Sequence, residues 1–134
     1  MFLNLLSKEE KFYFIDLLLK VIGVDGDPSE TETQIINRLK HEMGEDAIRY
    51  RKSNTPLEKL IDYFASKPKA TKNLVFMNLV SASLYDEFYS VEEHFLIEQI
   101  QNGFDISNKK KADLMKIVYA ERDLREKAKR VIAE

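Results

Sequence analysis

The chain has 134 residues, 21 Lys/Arg against 23 Asp/Glu for a formal charge of −2, and no cysteine. Such a length suits one domain that buries roughly two thirds of the surface exposed by its unfolded chain. The absence of thiols excludes disulfides, thiolate metal sites and cysteine nucleophiles, and the near-neutral charge gives no general attraction to nucleic acid.

Residues 1–7 carry no basic residue ahead of their apolar part and are too short for a signal core. The apolar run at 12–24 contains Asp16 and Lys20 and falls short of the ~20 residues that a membrane span needs. These features predict a soluble cytosolic protein.

Helix starts are legible as four capping boxes: Ser7-x-x-Glu10, Ser29-x-x-Glu32, Thr55-x-x-Glu58 and Ser90-x-x-Glu93. In each, the hydroxyl accepts from the third helical N–H while the carboxylate reaches back to the cap's own N–H. The first helix is predicted over 8–24, apolar except for a stripe through Glu9, Asp16 and Lys20, which makes it central. The second, over 30–43, buries Ile35, Ile36 and Leu39 and stops at Gly44, which takes a left-handed conformation at low cost. Between 45 and 54 only Ala47, Ile48 and Tyr50 are apolar, enough for a helical turn or two. Thr55 as cap and Pro56 as first helical residue open a helix over 56–66 that buries Leu57, Leu60, Ile61 and Phe64. A helix over 69–85 follows Pro68, with small residues at Ser81, Ala82 and Ser83 that allow close approach of the first helix. The helix over 91–102 buries Phe95, Leu96 and Ile100 and ends at Gly103. Residues 107–134 place Leu114, Ile117, Val118 and Leu124 on one face, with a break predicted near Asp123. Neither alternating apolar positions nor a hairpin dipeptide occurs, so the expectation is an all-α bundle of about seven helices.

One pattern repeats. The skeleton D-x-x-x-S-x-x-E spans Asp25 to Glu32 and returns 61 positions later from Asp86 to Glu93, each copy between an apolar helix and an amphipathic one. This predicts duplicated helix–acidic loop–helix units, about 8–44 and 69–106, related by a pseudo-two-fold, with C-terminal helices over 107–134 completing a single domain. Asp25 and Asp86 fall at helix C-termini, where the dipole disfavours a carboxylate by roughly 0.3–1 kcal/mol. A bound Ca²⁺ or Mg²⁺ would reverse that sign, with oxygens available from Asp25, Asp27, Glu30, Glu32, Asp86, Glu87, Glu92 and Glu93. Turn chemistry at the aspartates and capping at the glutamates also accounts for these residues without an ion. The spacing is not that of an EF-hand, because counting from Asp25 its required glycine is Glu30 and its twelfth-position glutamate is Ile36.

An apolar helix ending in Asp25-Gly26, a loop, Ser29-x-x-Glu32 opening the next helix, and the echo of all this in the second half resemble the TerB-like domains of tellurite-resistance proteins and of some DnaJ-type co-chaperones. The resemblance covers roughly 8–118. It implies a helical bundle with a cation-binding acidic site and a role in stress response or protein assembly, without catalysis. Carried over by position, the metal residues are Asp25 and Glu32 in one copy and Asp86 and Glu93 in the other. The second copy departs at Glu87, which stands where the first has Gly26.

Other chemistry has less support. His41 and His94 lack H-E-x-x-H spacing and read as ordinary helix residues, His94 packing on Tyr89 as a staple. No G-x-S-x-G elbow or phosphate-cradling glycine loop occurs, so no catalytic or nucleotide-binding residues are assigned. Residues 107–134 hold nine basic against five acidic residues, +4 net, leaving twelve against eighteen, −6, in the remainder. The acidic residues interleaved among Arg122 to Arg130 mark a solvated face, more suited to an acidic protein partner than to nucleic acid. A metal-free helical adaptor is the alternative to the cation-binding domain.

Overall fold

The computed structural model describes residues 1–23, 30–84 and 90–134, the side chains of Thr31 and Glu32 excepted. Within them run six α-helices, α1 (Lys8–Ile22), α2 (Glu30–Met43), α3 (Leu57–Ala65), α4 (Lys69–Leu84), α5 (Val91–Gly103) and α6 (Asn108–Ala133), with short 3-10 helices at Leu3–Leu5 and Gly44–Arg49. No strand occurs among the described residues, and no helix there is long and apolar enough to cross a membrane.

Why α1 is central follows from its sequence. Phe14, Ile15, Leu17, Leu18, Val21 and Ile22 leave almost no surface exposed, a set too broad for a single face, and α1 touches α2, α3, α4, α5 and the Gly44–Arg49 turn. Its main helical partner is α4, whose Val75, Phe76, Leu79, Val80 and Ala82 are buried in the same cluster, as the expected pairing of the two apolar helices requires. Stacking of Tyr13 on Tyr63, centroids 3.8 Å apart and planes 9° from parallel, joins α1 to α3. Gly103 at the end of α5 lies against Ile61 of α3, where a β-carbon would come within 2.2 Å of Ile61 Cγ2.

The N-terminal residues are anchored between α2 and α4. Leu3 is fully buried and its N–H donates to Glu42 Oε1 at 3.0 Å. The Met1 amine donates to Asn78 Oδ1 at 2.7 Å, while Asn78 Nδ2 donates to the carbonyls of Met1 and Leu74 at 2.9 and 2.8 Å.

Several boundaries differ from expectation. The helix at 57 starts after Pro56 in an extended conformation, and Thr55 is not its cap. Thr55 Oγ1 is hydrogen-bonded to Ser53 Oγ at 2.8 Å instead. No break occurs at Asp123: α6 runs through it for 26 residues, so six α-helices replace the expected seven among the described residues. The sequence there is rich in strong helix formers, and Arg125 reaches back to Glu121 at 2.7 Å, a favourable i,i+4 pair. Phe95 is 63 % exposed rather than buried. The inward face of α5 is set by Glu93, Leu96, Ile97, Ile100 and Gln101, and Phe95 falls outside that register. Of Leu114, Ile117, Val118 and Leu124, Val118 is buried and Leu114 packs half-buried against the core, while Ile117 and Leu124 are exposed. Gly44 does adopt the left-handed conformation, φ 81°, at the end of α2.

Candidate functional site

The first capping box closes in full. Ser7 Oγ accepts from Glu10 N–H at 3.2 Å, and Glu10 Oε1 accepts from Ser7 N–H at 2.8 Å. At α5, Ser90 sits in an extended conformation, φ −80° and ψ 163°, and its Oγ accepts from Glu93 N–H at 3.0 Å. Glu93 is thereby fixed in the first turn of α5, seven positions after Asp86 in the sequence, and only 1 % of its surface is exposed. A carboxylate taken so completely out of water must be compensated by hydrogen bonds, by a positive charge or by protonation.

The other three proposed ligands cannot be placed beside it. Asp25 and Asp86 lie outside the described residues, as do Ser29 and Tyr89, and Glu32 is described only as part of the α2 backbone. Convergence of Asp25 with Glu32, or of Asp86 with Glu93, thus falls outside the described residues too. Among the described residues no group of three or more His, Cys, Asp or Glu is arranged to hold a metal ion. His94 Nε2 lies 3.2 Å from Glu98 Oε1, one turn on, and His41 is exposed in the last turn of α2.

A second polar centre is built on Asp16 of α1. Asp16, 9 % exposed, accepts a short hydrogen bond from the Tyr50 hydroxyl, and its Oδ2 accepts from Ser53 Oγ at 2.7 Å. These bonds tie the segment that follows Gly44–Arg49 to the middle of α1. Burial, followed by the hydrogen bond to Asp16 and that residue's charge, pushes the Tyr50 hydroxyl well above its ordinary value near 10, so it serves as a neutral donor. Above this cluster opens a cleft of about 370 Å³ lined by Asp16, Leu19, Lys20, Gly23, Lys52, Ser53 and Asn54. Nearby, Lys11 Nζ pairs with Asp46 Oδ2 at 2.9 Å, and the hydrogen bond from Lys11 is the main cause holding the Asp46 carboxyl below its usual range.

Sequence reading placed Asp16 in a polar stripe and Tyr50 among apolar contributors, and so missed their partnership. The available signal was an aspartate inside an apolar run, which requires donors from elsewhere in the chain, but spacing does not say which. The arrangement can hold a loop in place. Its donors and acceptor are already committed to one another.

The groove between α2 and α6 has a different character. It encloses about 350 Å³ and is lined by Arg38, Arg122, Arg125, Lys129, Glu126, Ala128 and Ile132. Beside it, α6 exposes Ile117, Leu124, Val131 and Ile132. Lys129 is paired with Glu126 at 3.2 Å, and Arg122 approaches Asp123 at 3.6 Å. Compared with protein-family models, curated proteins and solved structures, the chain finds no match.

Proposed function

We propose that the chain is a non-enzymatic, TerB-like helical domain that binds a divalent cation of the Ca²⁺ or Mg²⁺ class and serves as an accessory protein in a stress response. The ligands are the carboxylates flanking its two acidic loops, Asp25 with Glu32 and Asp86 with Glu93. The observation that carries this reading is the burial of Glu93 in the first turn of α5. An oxygen-seeking cation favours an ionised carboxylate in such a position. A binding role, rather than catalysis, is supported by the Asp16 cluster. Its buried aspartate is bonded by Tyr50 and Ser53, and the tyrosine is held neutral.

Calorimetric titration of Ca²⁺, Mg²⁺, Mn²⁺ and Zn²⁺ into chelator-treated protein tests the proposal. Saturable heat is expected with a hard cation, together with stabilisation of about 2.7 kcal/mol at a hundredfold excess over Kd. The Asp25→Asn/Asp86→Asn variant should lose both, and Glu93→Gln should weaken binding. No heat with any of the four ions, or equal heat in the double variant, sinks the reading.

A metal-free adaptor that docks a protein partner is the second reading. The specific observation in its favour is the exposed apolar edge of α6, where Leu124 is 66 % and Ile132 84 % exposed. Partner binding unaffected by chelator and by Asp25→Asn/Asp86→Asn would select it.

A further inference from the structure

Along α6, the exposed apolar residues Ile117, Leu124 and Val131 recur at intervals of seven, with Ala128 between the last two. That interval is the repeat with which one helix meets another side by side. A stripe of this kind on a helix is matched by a helical partner, whose own apolar residues recur with the same spacing.

The flank of the stripe fixes the partner's charge. The groove beside it is lined by four cationic residues, Arg38, Arg122, Arg125 and Lys129, against one acidic residue, Glu126. The intrahelical pairs of Lys129 with Glu126 and Arg122 with Asp123 are exposed to solvent. Such solvent-exposed pairs are weak, so their cations can turn toward an incoming carboxylate at little cost. A second copy of the chain fits poorly. Two copies of α6 laid side by side bring together segments of +4 each, and α6 against the acidic remainder of another copy is a heterologous contact that runs on into a ring or filament. Nucleic acid fits poorly as well, because Glu126 lines the groove and the neighbouring edge is apolar rather than phosphate-binding.

We propose that the outer edge of α6 from Ile117 to Ile132, with Arg38 of α2, is a docking surface for an acidic amphipathic helix of a partner protein. The proposal rests on the docking role in the second reading above and requires no bound ion.

The test is fluorescence polarisation of a labelled peptide with Leu at i, i+3, i+4 and i+7 and Glu at most other positions. Two controls accompany it, one with Lys in place of Glu and one with the acidic sequence scrambled. Saturable binding of the acidic amphipathic peptide alone is expected, weakened about tenfold by Leu124→Asp and about tenfold by Arg122→Glu/Lys129→Glu, and unchanged by Phe95→Asp. All these positions are exposed, and unchanged circular dichroism verifies that the fold is kept. Equal binding of either control, insensitivity to the α6 substitutions, preferential binding of an RNA oligonucleotide, or self-association lost with Leu124→Asp would each overturn the surface. In cells, a photo-crosslinking residue at Leu124 or at Phe95 separates this proposal from the wider reading. Protein adducts at Phe95 alone leave the adaptor standing and remove the α6 surface, whereas adducts at neither position remove both.

Discussion

Tyr50 and Tyr63 connect individual side chains to the pH range over which the protein stays folded. Burial is the first cause that raises each hydroxyl well above its ordinary value near 10; the Asp16 bond and charge add to it for Tyr50, and the charge of Glu9 for Tyr63. The folded state therefore holds these protons more tightly than the unfolded chain. Their contribution is complete below about pH 10, the unfolded value, and is lost as pH rises above it. Ultraviolet titration should show that part of the tyrosine signal, from a total of six residues, appears only with unfolding, and urea midpoints should fall between pH 8 and pH 11. A single reversible step near pH 10 for all six tyrosines in the folded protein would refute this. The same cluster marks where residue-level reading stopped. Asp16 stood out in the sequence as a polar intruder, yet Tyr50 and Ser53 reach it only because the chain turns back after Gly44–Arg49, and no local pattern encodes that return.

For helices, legibility depended on where the determining contacts lie. Ser7, Ser90 and Gly44 act through neighbours a few positions away, and their effects on helix ends were readable. Phe95 was misplaced because apolar character marks a candidate for burial, whereas the face that turns inward is chosen by the whole set from Glu93 to Gln101. Thr55 was misread for a similar reason, its hydroxyl being claimed by Ser53. At the candidate cation site, Glu93 alone is described in position, and its burial was not anticipated by a motif whose acidic residues look solvent-facing. The α3–α5 junction gives an element-scale prediction. Gly103→Ala drives a methyl group into the stiff β-branched Ile61 and should cost about 1–3 kcal/mol in urea unfolding. Combining it with Ile61→Ala should cost less than the sum of the two single changes, since the second removes the obstructing methyl. Additivity would show that the two helices move apart without resistance.

Across the whole molecule, stability is concentrated around α1. Leu18→Ala removes a fully buried side chain from the middle of the cluster and should cost roughly 2–5 kcal/mol, a large part of a domain's total. Leu124→Ala removes the same atoms from an exposed edge and should stay within about 0.5 kcal/mol. Denaturation curves that rank the two alike would contradict the central place of α1. That place also shapes how the chain is made. Forty-seven positions separate the end of α1 at Ile22 from the start of α4 at Lys69, the element against which it packs most. A ribosome adding about 5–20 residues per second takes roughly 2–9 seconds to cross that gap. The two helices leave the exit tunnel separated by that interval, so α1, apolar on most of its surface, emerges before its principal cover. Nascent-chain chaperones are selected by such a segment, and pausing of translation between α1 and α4 lengthens its exposure without altering a single contact in the finished fold.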